Sequence, residues 1–423
     1  MSIANAAAAL ASEQERVRPE LENLALSSSK LWKRFEKNTK VKAVSDRPTR
    51  LPTMPSSGGK HSVGNMDGAD MGIGSGPTQV PGLLTTVCYI SAWSYTKQAE
   101  YATDSDEKAI ENFATLTRSI APKKFADFMD INLQGNASNQ VDTIVSTVTQ
   151  GGQIVGVVVN NANFFLDGTD YDIWTAVGGT FVVTVNCESS DILANTVWFQ
   201  TPLAAGAISA GQGLFVSGAS AQSNTGLYGL RYAQVGTNTG NWYSIQRSAW
   251  PGKYITPTIP VNGALTPQVV RAIQSLNELS LGDESTEGEI IAHCNVSERD
   301  AWEQNALLVQ HIDMANLKGD QSVDMLKKKA ATQIAGRDML VNPRALPGYI
   351  DFLKLENCER VETKPVDFYD VAGQTLFPIY GQSGGLASGL VFYIVWEGNA
   401  VFNQPRQNAF LSGITIPKGL FGH

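Results

Sequence analysis

"TTVCYISAWSYTKQAEYATDSDEKAIENFATLTRSIAPKKFADFMDINLQGNA", residues 85–137, changes its periodicity once, and that change decides the fold. Residues 82–103 are rich in aromatic and β-branched side chains and read as one or two strands. Residues 104–135 read as a helix. Asp104 and Ser105 can cap it, and Asp106 and Glu107 suit the positive end of its dipole. Ile110, Phe113, Leu116 and Ile120 form an apolar stripe, resumed by Phe125, Phe128 and Met129 past an expected kink at Pro122. Gly135 is placed to stop the helix.

Upstream, residues 55–81 are rich in glycine and proline with almost no large apolar side chain, so they cannot build a core alone. They read as a loop, free or laid on a partner. Before them, residues 39–55 alternate Lys and Val around several prolines and read as extended. Residues 5–38 read as helix, interrupted at Pro19. The basic residues gather here: Lys30, Lys33, Arg34, Lys37, Lys40, Lys42, Arg47 and Arg50 face only Glu36 and Asp46, a net +6 in a chain of net −8.

Downstream, residues 141–220 are β in composition, with "IVGVVV", "FVVTV", "TVWF" and "GLFVSG" separated by Gly, Asn and Asp turns. A helix follows with Thr266 as cap, Pro267 in its first turn, and Val270, Ile273, Leu276 and Leu279 on one face. "GEIIAHCNV" is a short buried strand, and a second helix is expected from Ser297. The C-terminal part reads as long strands with a turn at Gly398 and Asn399. The class is α+β with segregated β regions and no internal repeat.

A chain of 423 residues holds two or three cores, and 43% hydrophobic with 17% charged residues is a globular composition. The acidic balance argues against a dedicated nucleic-acid binder. Cys88, Cys187, Cys294 and Cys358 lie far apart with no CxxC pair, which fits a reducing compartment and neither a disulfide framework nor a zinc site. The N-terminus lacks a basic region before its apolar run and reads as a helix start, not a secretory signal. No run approaches the ~20 apolar residues of a membrane span.

Chemistry-bearing motifs are weak. "GQSGG" (381–385) matches a nucleophile elbow at Ser383, but downstream acids reduce to Glu397 and the one downstream histidine is His423, the last residue. "GIGSGP" (72–77) neither follows a strand nor opens a helix. Asp167, Asp170 and Asp172 lack a calcium-loop pattern and read as a β-turn. His293 and Cys294, adjacent on a strand, point to opposite faces, so His293 reads as structural. No enzyme, cofactor or metal is expected; the residues point to a structural or assembly protein.

The order of these features resembles the tailed-bacteriophage major capsid proteins of the Hong Kong 97 fold. Residues 85–137 look like that family's return strand and spine helix. "TQIAGRDMLVNPRALPGYIDFLKLENCERVETKPVDF" looks like its gly-x-x-x-apolar-x-x-pro strand and long peripheral strand, and "NQPRQNAFLSGITI" like its closing strand. The resemblance implies an N-terminal arm at 1–54, an extended loop and return strand at 55–100, and a spine helix of the peripheral domain at 101–140. It implies an enlarged β-rich inserted subdomain at 141–224, an axial domain at 225–360, and closing peripheral and axial strands at 361–423. It implies self-assembly through pentamers and hexamers into an icosahedral shell around double-stranded DNA. A portal, a separate scaffolding protein, non-specific packaged DNA and a possible decoration protein would be partners, with no membrane. The location would be the virion capsid, assembled in the bacterial host cytoplasm. The eight basic residues from Lys30 to Arg50 are then expected to meet a neighbouring copy in preference to DNA, as are Lys60, His61, Met66 and Met71 of the loop. Trp32 and Phe35 leave DNA stacking open. A nanocompartment shell of the same fold is the nearest rival, and a β-rich serine hydrolase a more distant one.

Overall fold

The 17-residue strand Leu386–Phe402 is the spine of a five-stranded sheet. It pairs antiparallel with Val87–Thr96, with Phe377–Tyr380 and with Cys358–Phe368, and the last of these adds Glu36–Lys37 in parallel at the edge. The computed structural model describes residues 29–37, 48–59, 61, 73–102, 113–219, 225–281, 290–313, 333–334, 336–380 and 386–416. Successive strand residues alternate faces, so Phe392, Ile394, Trp396, Ala400 and Phe402 all turn to one side. There they meet Ala121, Phe125, Met129 and Leu133 of, or just beyond, the long helix Phe113–Asn132.

That helix runs on through Pro122 without a break. It ends as anticipated: the Gly135 N–H donates to the Asn132 carbonyl at 3.0 Å. Its expected first turn, with Asp104 and Ile110, lies outside the described residues, as does the arm up to residue 28. The strand Val87–Thr96 ends there, and Lys97–Ala102 is helical where strand was expected, with the Thr96 hydroxyl accepting the Ala99 N–H. The end of the N-terminal helix is also corrected. Trp32–Arg34 is one 3-10 turn, because the sheet edge offers Glu36 and Lys37 a strand to pair with.

Beyond the helix, six antiparallel strands close a barrel in the order Gly213–Val216, Gln140–Gln150, Gln153–Val159, Thr196–Ala204, Phe181–Asp191, Asp170–Trp174. Its core of Ile144, Val157, Phe165, Tyr171, Val185 and Leu214 is joined to the helix through Ile131 and Phe128. A six-stranded mixed sheet runs Thr258–Gly263, Ala409–Ile414, Ile350–Lys354, Ile290–Cys294, Arg337–Val341, Gln333–Ile334.

The helix Pro267–Leu281 packs on that second sheet through Val270, Ile273, Asn277 and Leu281. Leu276 and Leu279, expected on the same face, point out instead, and Leu279 is 81% exposed. The helix Val296–Asp313 starts one residue earlier than expected, its Val296 N–H donating to the Asn295 side chain, while Ser297 is buried inside it. Gly398 and Asn399 make no turn. They lie within the long strand, where Asn399 is fully buried, accepts the Tyr228 N–H and donates to the Thr85 carbonyl.

Candidate assembly interface

Residues 29–37 are built into the subunit. Trp32 and Phe35 are 3% and 1% exposed. Trp32 meets Trp396 edge-on at 5.2 Å and Phe35 meets Phe402 at 5.4 Å. The Arg360 guanidinium lies 4.8 Å from the Trp32 ring centre. Two successive backbone donors, Leu31 N–H and Trp32 N–H, converge on Asp130 Oδ1 at 2.9 and 2.7 Å. Such charge-assisted bonds from a buried carboxylate fix the chain's direction as well as its place.

The same carboxylate ties the arm to the second sheet. Asn342 Nδ2 donates to Asp130 Oδ2 at 2.6 Å and lies 3.3 Å from His293 Nε2, and His293 Nδ1 is 3.5 Å from Asp351 Oδ2. Arg231 donates to Asp351 while its guanidinium stacks 4.4 Å from the Tyr349 ring. Burial pushes the Asp130 carboxyl up, against its hydrogen bonds from Trp32 and Asn342. Asp351 is also buried, but Arg231 and His293 outweigh that burial and hold its carboxyl below the ordinary range.

The second element is a two-stranded ribbon, Thr49–Ser56 against Thr78–Leu84. It takes both ends of the stretch expected as loop. Its root stands on an aromatic floor of Tyr228, Tyr232, Trp242, Tyr243 and Tyr254. Leu83 N–H donates to the Tyr243 carbonyl at 2.7 Å, and the Thr53 and Tyr254 hydroxyls are 2.7 Å apart. Arg247, 2% exposed, holds that floor by donating to the carbonyls of Tyr232, Ala233, Asn241 and Tyr254. Further out the support is lost: Met54 on the ribbon is 58% exposed and Ile73, before its second strand, 96%. Pro52 faces Pro81 across the ribbon, so neither edge offers an N–H there to a further strand. Gly58, at φ +71°, leaves no room for a side chain, since a Cβ would sit 2.4 Å from the Ser75 carbonyl oxygen.

The basic residues therefore fall in three groups. Lys30, Lys33, Arg34 and Arg50 are exposed, with Lys30 Nζ donating to the Val341 carbonyl at 2.8 Å. Lys37 pairs through its backbone with Arg360. Lys40, Lys42 and Arg47 lie outside the described residues, as do Lys60, Met66 and Met71 of the loop, whereas His61 is exposed. The structure brings Lys33 and Arg34 together on the arm and sets Arg50 apart on the ribbon. Trp32 and Phe35 offer no ring to a base.

Sequence reasoning missed Asp130, whose arm partners lie 98 and 99 positions away. It also missed the exposed apolar groups at the far end of the first sheet, Tyr369, Val371 and Tyr380. The alternative chemistry gains nothing. Ser383 and His423 lie outside the described residues. Asp172 is engaged by Thr184, Ser217 and the Gly218 N–H, and Asp170 by Asn186. Among the described residues no group of His, Cys, Asp and Glu is placed to hold a metal ion, and no helix is long and apolar enough to cross a membrane.

No protein-family model matches the chain, and no curated protein matches its sequence. Among solved structures it superposes on a chain of the cyanophage A-1(L) capsid with a TM-score of 0.56 at 11% identity, over 95% of this chain and 97% of that one. The chain has a phage capsid fold. The capsid of the empty GTA particle aligns at TM-score 0.48 and 9% identity, over 95% of this chain and 97% of that one. That of the Myoviridae phage XM1 aligns at 0.47 and 8%, over 95% of this chain and 97% of that one.

Proposed function

We propose that this chain is the major capsid protein of a tailed bacteriophage, a non-enzymatic subunit that assembles through pentamers and hexamers into an icosahedral head around double-stranded DNA. The observation that carries this reading is the extended loop: a ribbon rooted on an aromatic floor, with Met54 on it and Ile73 just beyond it left exposed, uncovered by any of the described residues. Apolar groups held out on an ordered support favour burial against another surface. A neighbouring copy fits, because closed symmetry multiplies many modest contacts into a stable shell. In this reading Lys40, Lys42, Arg47, Arg50, Lys60, His61, Met66 and Met71 meet acidic and apolar surface of adjacent subunits. The barrel is an added subdomain on the outer surface. A portal, a separate scaffolding protein and in some shells a decoration protein complete the head, which forms in the host cytoplasm.

The test is deletion of residues 58–78. The expected product is a folded subunit with an unchanged unfolding midpoint that no longer closes into shells under negative-stain electron microscopy. Normal shells from the deletion variant would sink the proposal. Shells of the full chain filled with protein cargo in place of DNA would move it to a nanocompartment.

A further inference from the structure

Where the helix Phe113–Asn132 ends, its last residues, the start of the barrel and the segment around Arg231 enclose a cavity of about 200 Å³. Two backbone bonds build its polar end. Leu230 N–H donates to the Leu133 carbonyl at 2.8 Å and Arg231 N–H to the Gly135 carbonyl at 3.2 Å, which brings Gln134 and Arg231 side by side in the lining. Gly229 permits this approach, because a Cβ there would stand 2.5 Å from the Leu133 carbonyl oxygen. Gln134 is 3% exposed, and its Nε2 donates to the Asp130 carbonyl at 3.4 Å. Its Oε1 is buried and has no hydrogen-bond partner among the described residues. Arg231 gives a terminal guanidinium nitrogen to Asp351, while its Nε–H is likewise buried and unpaired among them. Ile131, Phe164, Leu227 and Leu346 supply apolar wall.

Buried polar atoms left unpaired are costly and uncommon, so an acceptor and a donor on adjacent residues of one cavity call for an occupant. We infer that the cavity binds a small neutral amphiphile whose head both donates and accepts, as a primary amide does. The head gives a hydrogen to Gln134 Oε1 and takes one from Arg231 Nε, and the apolar body lies against Ile131, Phe164, Leu227 and Leu346. Charge sets the class. The Arg231 cation is already matched by Asp351, and the Asp142 carboxylate in the lining is engaged by Thr143, Asn160 and Asn161, so an anion gains nothing there. Size sets the body: an apolar cavity of about 150 Å³ holds benzene, which leaves room here for one ring and an amide. The inference stands apart from the capsid reading, since the site lies within one subunit.

The experiment titrates the full chain with benzamide, with toluene as the body alone and benzoate as the anion, by ligand-observed NMR. Gln134→Leu removes the acceptor, Leu346→Phe fills the cavity, and Gln268→Leu alters an exposed glutamine elsewhere. Denaturation midpoints without ligand report whether each variant is folded. One hydrogen bond of ordinary net strength amounts to about tenfold in affinity. Saturable binding of benzamide is expected, at least about tenfold tighter than that of toluene or benzoate. Gln134→Leu should weaken benzamide about tenfold and leave toluene unchanged, Leu346→Phe should abolish both, and Gln268→Leu should change neither. No saturable binding of benzamide would mean a cavity that holds water only and would overturn the inference. Toluene or benzoate bound as tightly as benzamide would overturn it too, as would benzamide binding untouched by Gln134→Leu and Leu346→Phe. If a variant fails to fold, the ranking of the three probes on the wild-type chain decides.

Discussion

Residues 29–37 and the ribbon 49–84 lie a dozen residues apart, both reach away from the middle of the chain, and both carry exposed cations, yet they solve opposite problems. The arm hides its aromatic side chains in its own subunit and gives its backbone donors to Asp130. The ribbon pairs its backbone with itself and leaves its outer apolar side chains uncovered. A segment whose large side chains are all buried at home contributes to subunit stability, whereas one that buries only its root, through Leu51 and Leu84, leaves its outer part to be tested for a role in association.

The comparison is broken most easily at Trp32. Trp32→Ala empties a site between Trp396 and Arg360 and should cost about 3–5 kcal/mol in chemical denaturation. A cost below about 1 kcal/mol would mean that the arm is not part of the core. Next comes Asp130→Ala, which strands two buried N–H groups and should cost about 1–3 kcal/mol.

The carboxylates of Asp130 and Asp351 should also differ in the sign of their dependence on pH. Asp130 has a raised pKa, so its contribution is fullest below the ordinary carboxylate range and declines as pH rises through the folded value. Asp351 has a lowered one, so its contribution is present above the ordinary range and is lost as pH falls through the folded value. Stability profiles of Asp130→Asn and Asp351→Asn, each subtracted from wild type, should therefore slope in opposite directions. Parallel slopes would refute the assignment. The smallest effect on folding belongs to the ribbon: Met54→Ser with Ile73→Ser should stay within about 0.5 kcal/mol of wild type while reducing the yield of shells.

The sequence made the frame legible wherever local pattern and burial agree. The stripe Phe125, Phe128, Met129 named the buried side of the helix Phe113–Asn132, and alternating apolar residues with Gly and Asn turns named the barrel's strands. It failed where a distant partner decides. Gly398–Asn399 has the composition of a turn, but Asn399 is used inward by Tyr228 and Thr85, while Gly398 lets the Val361 carbonyl approach too closely for any side chain. The face of the helix Pro267–Leu281 was misjudged by Leu276 and Leu279 because apolar spacing cannot separate a side chain buried in the subunit from one left exposed. Of the candidate interface, the charge of the arm was readable from residue types alone. Its seat was not, since Asp130 is an ordinary helix residue until the arm folds back on it.

From residue 125 to residue 230, the whole barrel included, the sequence holds no Lys or Arg, and that governs how the protein meets a protease that cuts after lysine and arginine. Between Lys124 and Arg231 trypsin has nowhere to cleave. However long the digestion, the barrel comes away whole as one fragment with the end of the helix Phe113–Asn132 still attached. The arm and the ribbon, with their scattered basic residues, are open to being cut into short peptides.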